Sequence, residues 1–197
     1  MADRDRSLTS PAAPAAARLF LALWPTPALH RTLEAHDRLW TWPAQAARVA
    51  PAKWHVTLHF LGAVARDRMP TLMAALAAAP PCPAAELRLD RPTLWPGGLA
   101  VLLAEDVPPA LRDFQRALGQ ALSAAGLPVE RRAWKPHVTL ARRAIGARPP
   151  ADCPPLLWPT GPDSGWVLVE SVPGGGYQVL RRFSDPATPV TPAGAAG

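Results

Sequence analysis

Two stretches far apart in the chain carry the same reactive residues. Lys53-Trp54-His55-Val56-Thr57-Leu58 and Lys135-Pro136-His137-Val138-Thr139-Leu140 share lysine, histidine, valine, threonine and leucine at equal offsets. The chain holds no other lysine, and each of the two stands two places before a motif histidine. Such self-similarity marks an internal repeat. An imidazole titrates near neutral pH, so of two facing histidines one can take a proton from water while the other gives one to a leaving oxygen. Threonine hydroxyls can donate to oxygens that gain negative charge in a transition state. In-line displacement at a phosphate diester needs this set: a base on one side, an acid on the other, and donors to the non-bridging oxygens. That chemistry requires no metal.

Both copies are β-branched and apolar runs bounded by Pro, Gly or Arg, so both read as strands. Alternation places His55 and Thr57 on one side and Val56 and Leu58 on the other, and His137 and Thr139 follow the same rule against Val138 and Leu140. If duplicated halves face each other, two imidazole–hydroxyl pairs line one cleft. His59 shares parity with His55, but four strand residues span about 13 Å, too far to share a zinc bound at about 2 Å. A metal bridging His55 and His137 would find no acidic residue beside either motif. No metal and no cofactor are expected. By parity Lys53 and Lys135 reach the cleft mouth, where they attract phosphate or stay solvated, whereas Trp54 and Trp134 face the core.

The remaining chain supplies the frame. Arg18 to Leu23 reads as a strand that Pro25 ends. Pro27 to Leu39 reads as a helix capped by Thr26, with Leu29, Leu33, Ala35 and Leu39 in its apolar stripe and His30 and His36 at the surface. Arg66 to Ala79 forms a second helix through Met69, Leu72, Met73 and Leu76. Glu86 to Asp90 and Leu99 to Ala104 are strands, with a turn at Pro96-Gly97-Gly98 between them. Pro108 to Ala125 is a helix with Leu111, Phe114, Leu118, Ala121 and Leu122 on one face and Gly126 as its C-cap. Pro149 to Pro162 is expected to lack regular structure. Gly165 to Val172 and Tyr177 to Phe183 form a hairpin across Pro173-Gly174-Gly175-Gly176, expected to close the second half. Residues 1–17 and 184–197 are expected tails around one domain, 18–183. Mixed elements in two similar halves with antiparallel signals imply an α+β fold.

A net charge of +6 and a pI near 10.6 favour a polyanionic partner, although arginine-rich and alanine-rich composition lessens the weight of that reading. Cys82 and Cys153 make neither a disulfide framework nor a metal spacing, which points to a reduced cytoplasmic setting. The chain contains no apolar run long enough for a membrane span and no Gly-rich loop of the Walker type.

At Arg18-Leu19-Phe20-Leu21-Ala22-Leu23-Trp24-Pro25, at His55-Val56-Thr57-Leu58-His59-Phe60-Leu61-Gly62 and at Arg132-Ala133-Trp134-Lys135-Pro136-His137-Val138-Thr139-Leu140-Ala141-Arg142, the sequence resembles the 2H phosphoesterases. Within them it is similar to the RNA 2′,3′-cyclic phosphodiesterases, also called 2′-5′ RNA ligases. The resemblance covers about residues 18 to 183. It implies two pseudo-symmetric lobes, each an antiparallel sheet with outer helices, around a central cleft. It further implies hydrolysis of a 2′,3′-cyclic phosphate at an RNA end to a 2′-phosphomonoester without a cofactor. His55 would protonate the leaving 3′-oxygen, His137 would accept the proton from water, and Thr57 and Thr139 would hold the non-bridging oxygens. The reverse reaction, ATP-independent 2′-5′ joining of RNA ends, uses the same groups.

Arg142 stands where the family often has arginine, but its parity relative to His137 is odd, so it reaches a phosphate only if the strand ends or bulges first. Arg132 is similar to another recurrent arginine, or only holds its loop. Phe20 either stacks a nucleobase or belongs to the core. Leu99-Ala100-Val101-Leu102-Leu103 departs from the family in having alanine where members often carry a basic residue. The expected partner is an RNA or oligonucleotide with a 2′,3′-cyclic phosphate end, bound by a monomer away from membranes. The competing readings are a 2H phosphodiesterase acting on 2′-5′ oligonucleotides or small cyclic nucleotides, a non-catalytic RNA-binding protein, and a metal-dependent phosphodiesterase.

Overall fold

Short apolar runs punctuated by Pro and Gly become ten strands and three α-helices over residues 15–130, 132–161 and 164–183, the parts described by a computed structural model. In chain order these are β1 (Ala16–Leu23), α1 (Pro27–Asp37), β2 (Ala47–Arg48), β3 (Val56–Ala65), α2 (Met69–Ala77), β4 (Ala85–Leu89), β5 (Arg91–Trp95), β6 (Leu99–Leu103), α3 (Pro109–Ala124), β7 (His137–Arg142), β8 (Leu156–Thr160), β9 (Trp166–Val172) and β10 (Gly176–Phe183). The main sheet has the order β10-β9-β1-β3-β7-β6-β5, with β2 also on β7, and β4-β8 forms a separate ribbon. Every strand pair is antiparallel, so the fold is α+β as the sequence implies.

The two motif strands are neighbours. β3 and β7 are in register only at Val56↔Val138, whereas β1 follows β3 from Ala16↔Ala65 to Leu23↔Val56. The sheet therefore divides into two halves, each with one motif strand at the seam.

Among several register shifts in the sheet, one in each motif strand breaks the alternation at an equivalent place. Along β3 the partners of Leu21 and Ala22 are His59 and Thr57, which leaves Leu58 as an extra residue. Along β7 the partners of Ala100 and Val101 are Ala141 and Thr139, which leaves Leu140. A bulge puts two consecutive side chains on one face and reverses the parity of all that follow. Leu58 and His59 are accordingly both buried, as are Leu140 and Ala141. Phe60 and Arg142 return to the face of the motif threonines, and both are exposed.

The helices follow their sequence signals closely. Thr26 Oγ1 accepts from the Leu29 N–H at 3.3 Å and Pro27 starts α1, which satisfies one donor that a helix start leaves free. At the end of α3, Leu127 N donates to Leu122 O and Gly126 N to Ser123 O, both at 2.9 Å, with Gly126 at φ 68°. That is the Schellman arrangement a glycine permits. Leu72 and Leu76 of α2, with Leu111, Phe114, Leu118 and Leu122 of α3, are buried; each buried leucine contributes about 1.5–3 kcal/mol. No described helix is long and apolar enough to cross a membrane.

Several expectations change, Ala35 of the apolar stripe among them, since it is exposed. α1 ends at Asp37, so Leu39 leaves the apolar stripe and is exposed. His36 is buried, its Nε2 2.9 Å from Cys153 Sγ. The segment expected to be irregular contains β8, which pairs with β4 from Ala85↔Thr160 to Leu89↔Leu156; α1 packs against β8, which is why a histidine placed at the surface is covered. Pro159 is tolerated there because it points outward on a two-stranded ribbon with free edges. Lastly, the β9–β10 hairpin joins β1 at Leu19↔Glu170 through Ala22↔Val167. It completes the half that carries His55, because β1 has an unpaired edge once β3 lies on its other side. The strand expected from Arg18 starts at Ala16, and the expected tails fall almost wholly outside the described residues.

The β5–β6 turn meets the segment after β7 closely. Gly98, at φ 76°, accepts a hydrogen bond from Ala144 N at 2.8 Å, and a Cβ on it would lie 2.9 Å from Ile145 N. Gly97, at φ 81°, has open space. Gly97→Ala should cost about 1–2 kcal/mol for the left-handed backbone alone. Gly98→Ala should cost at least about 1 kcal/mol more for the overlap, read as a Tm a further ~2–4 °C lower; equal melting temperatures would contradict the close approach.

Candidate active site

Each motif lysine positions its histidine through the main chain. His55 Nδ1 lies 2.7 Å from Lys53 O and His137 Nδ1 lies 2.7 Å from Lys135 O. A carbonyl only accepts, so both Nδ1 atoms carry hydrogen and both Nε2 atoms are the reactive positions. Nε2 of His55 is 3.1 Å from Thr57 Oγ1, whose hydroxyl donates to it while the ring is neutral.

The antiparallel register at Val56↔Val138 sets the geometry of the quartet. One residue to either side, Thr57 faces His137 and His55 faces Thr139, about 4.5–5.5 Å apart between backbones. The valines point into the core, so all four functional side chains leave the sheet on the opposite face. The two histidines are close enough for a charge on His137 to depress His55, and Thr57 and His137 line one cavity of about 570 Å³.

Burial dominates the electrostatics. Desolvation pulls the His55 imidazole down to about 4, against the opposing hydrogen bond to Lys53 O, while the charges of His137 and Arg142 lower it further. His137 is also held below its ordinary value by desolvation, opposed by its bond to Lys135 O. Aromatic rings cause much of this. Around His55 lie Phe20 at 4.8 Å, Tyr177 at 5.6 Å and Trp24 stacked at 5.9 Å between ring centroids, and Trp95 lies 4.6 Å from His137. Trp24, Tyr177 and Trp95 carry no periodic signal; the single tyrosine of the chain and the Trp95-Pro96-Gly97-Gly98 turn were the available hints.

The other sequence candidates divide. Arg142 reaches the motif face through the Leu140 bulge, and its charge acts on His55. Phe20 is buried and packs against His55, so it shapes the imidazole's surroundings and offers no open face. Lys53 Nζ lies 5.7 Å from the Tyr177 ring centroid, close enough for a cation–π contact. Lys135 is exposed and lines the cavity. Arg132 lines it too, with Nε donating to Glu130 Oε1 at 2.7 Å. Trp54 is buried as expected. Trp134 is half-buried in the cavity wall, where its Nε1–H donates to Thr57 O at 2.8 Å.

His59 corrects the parity argument. The Leu58 bulge turns it away from His55, and its Nε2–H donates to Gln115 O of α3 at 2.7 Å. His55 and His59 thus lie on opposite faces of β3. Among the described residues no group of three or more His, Cys, Asp and Glu side chains could hold a metal ion.

A family model described as the 2′-5′ RNA ligase superfamily matches residues 27–157, a span that includes both motif strands. No curated protein sequence matches the chain significantly. Among solved structures, E. coli LigT in its apo form superposes with a TM-score of 0.70 at 23% identity, covering 86% of this chain and 98% of LigT. LigT complexed with 3′-AMP gives 0.69 at 23%, covering 85% and 97%. TT0787 of Thermus thermophilus gives 0.62 at 27%, also covering 85% and 97%. With a LigT-like fold and both His-x-Thr strands inside the matched span, the chain belongs to the 2′-5′ RNA ligase superfamily of 2H phosphoesterases.

Proposed function

We propose that the protein hydrolyses RNA 2′,3′-cyclic phosphate ends to 2′-phosphomonoesters by metal-independent acid and base catalysis. The observation that carries this reading is the pairing of β3 with β7 at Val56↔Val138, which sets two His–Thr pairs on one face. His137 accepts the proton of the attacking water, and His55 protonates the leaving 3′-oxygen. Thr57 and Thr139 donate to the non-bridging oxygens, and Arg142 supplies positive charge beside them. The quartet is symmetric about the valine pair, so the donor and acceptor roles follow the family resemblance. E. coli LigT has been captured with 3′-AMP and with phosphate, ligands that carry the group this face would grip. Joining of RNA ends by a 2′-5′ bond is the same displacement with a 5′-hydroxyl in the place of the attacking water: P–O5′ forms, P–O3′ breaks, and the two histidines keep their proton-transfer roles.

Incubation of chelator-treated protein with a 2′,3′-cyclic nucleotide tests the reading. The expected product is the 2′-monoester; a 3′-monoester, or turnover only after metal addition, would refute it.

The depressed imidazoles predict the pH dependence. A proton relay needs one charged and one neutral ring, but both rings are lowered and so neutral at pH 7 in the free protein. The singly protonated form gains population as pH falls below about 6.5, so kcat/KM should decline as pH rises through the range below 6.5. A bound phosphate anion favours the imidazolium, so the kcat profile should lie at higher pH than the kcat/KM profile. An alkaline limb of kcat/KM centred well above 6.5 would contradict the desolvated site.

A further inference from the structure

β3 and β7 are in register at Val56↔Val138 and then part. Two places on, the same register would set Leu58 opposite Pro136, which has no N–H to give and whose carbonyl accepts from Ala104 N at 3.0 Å. Side chains bond β3 there instead of the ladder. Trp134 Nε1–H donates to Thr57 O at 2.8 Å, and Gln115 Nε2–H of α3 donates to Leu58 O at 3.2 Å. Gln115 O in turn accepts from His59 Nε2–H at 2.7 Å. A bulge leaves its extra residue outside the ladder, so these bonds fix the chain where the sheet does not, starting at a motif threonine.

Trp134 joins reactive groups of the two halves. Its neighbour Lys135 supplies the carbonyl that lies 2.7 Å from His137 Nδ1. Its own indole holds the peptide of Thr57, whose hydroxyl is 3.1 Å from His55 Nε2. Two adjacent residues thus reach one motif histidine directly and the other through Thr57. The first copy of the repeat has Ala52 at the place matching Trp134. An alanine has no donor, so that position cannot return the bond to Thr139, and only one of the two threonines is tied in this way.

We propose that Trp134 is a positioning residue whose indole N–H sets the place of the Thr57 hydroxyl relative to His137. The role rests on the proposed hydrolysis, in which Thr57 donates to a non-bridging oxygen. The indole touches neither the phosphate nor the proton; it acts through the peptide it holds.

Trp134→Phe keeps a packed ring and removes the donor. With a 2′,3′-cyclic nucleotide kcat should fall about 10-fold to 100-fold, as for a misplaced catalytic group, while KM stays within about twofold. Because the indole acts through Thr57, the double variant with Thr57→Val should be no slower than Thr57→Val alone. With Thr139→Val the two losses should multiply. Site-specific benzothienylalanine in place of Trp134 keeps the ring size and lacks only the N–H, so it repeats the test if phenylalanine unsettles the fold. A spectroscopic reading needs no turnover: at pH 7 the ¹⁵N resonance of His55 Nε2 should move toward its position in Thr57→Val, while that of His36 on α1 stays. A raised KM at unchanged kcat would overturn the proposal by making the indole a substrate contact. Losses that multiply with Thr57→Val, or a lower melting temperature at unchanged kcat, would reduce Trp134 to packing. If the unmutated protein turns over no cyclic nucleotide, the hydrolytic reading falls and the resonance decides alone: a shift sustains the tie between Trp134 and Thr57, and an unmoved His55 overturns it.

Discussion

His137→Ala is expected to lower kcat/KM for a 2′,3′-cyclic nucleotide by about 10² to 10⁴, the range for losing one positioned proton-transfer group. The loss should persist with a nitrophenyl phosphodiester, because the water still lacks its base. His55→Ala should lose as much on the cyclic nucleotide but distinctly less on the nitrophenyl ester, whose leaving oxygen needs no proton. Steady-state kinetics on both substrates separates the roles that the symmetric quartet leaves equal. The opposite pattern would exchange donor and acceptor, full activity in His137→Ala would remove His137 from the chemistry, and absence of turnover in the unmutated protein would reduce it to a nucleic-acid binder. Neither imidazole is fully buried and each Nδ1–H bonds to a main-chain carbonyl only two residues away, so alanine should be tolerated by the fold.

The next largest effect is expected at the threonines. Thr57→Val and Thr139→Val keep shape and β-propensity while removing one donor to a developing charge, a loss of about 10²–10³ in kcat where such donors are preorganised. KM should move little, since the bond strengthens in the transition state. Thr57 also bonds Nε2 of His55 at 3.1 Å, so Thr57→Val should additionally shift the pH profile, and Thr139→Val should not. Changes below about threefold in both variants would show these to be ordinary strand threonines.

Much of this arrangement is legible in the chain because it rests on local rules. Repetition of Lys-x-His-Val-Thr-Leu announces two equivalent strands, alternation puts each imidazole with its hydroxyl, and Thr26-Pro27 and Gly126 mark helix ends through capping geometry. What escapes is whatever depends on a neighbouring strand. The bulges at Leu58 and Leu140 exist only in the register against β1 and β6, and they decide that His59 is buried and that Arg142 is not. The place of β10 depends on which sheet edge is free. His36 reads as a solvated helix residue until β8, hidden in a proline-rich segment, covers it. Trp24, Tyr177 and Trp95 enter the site through ring contacts across strands, which no spacing records.

The duplicated segments have also diverged where it matters for a ligand. At the position after the bulge one carries Arg142 and the other Phe60, and just before it one carries Ala141 and the other His59. One half thus brings charge toward the phosphate, and the other brings an exposed ring and a buried acceptor.

The single Val56↔Val138 contact has a mechanical consequence. A phosphate held by both histidines and both threonines would itself be a crosslink between the two halves, adding strength where backbone pairing is thinnest. Occupancy of the pocket should then be visible as slowed amide hydrogen exchange along the seam, at main-chain positions the ligand never touches.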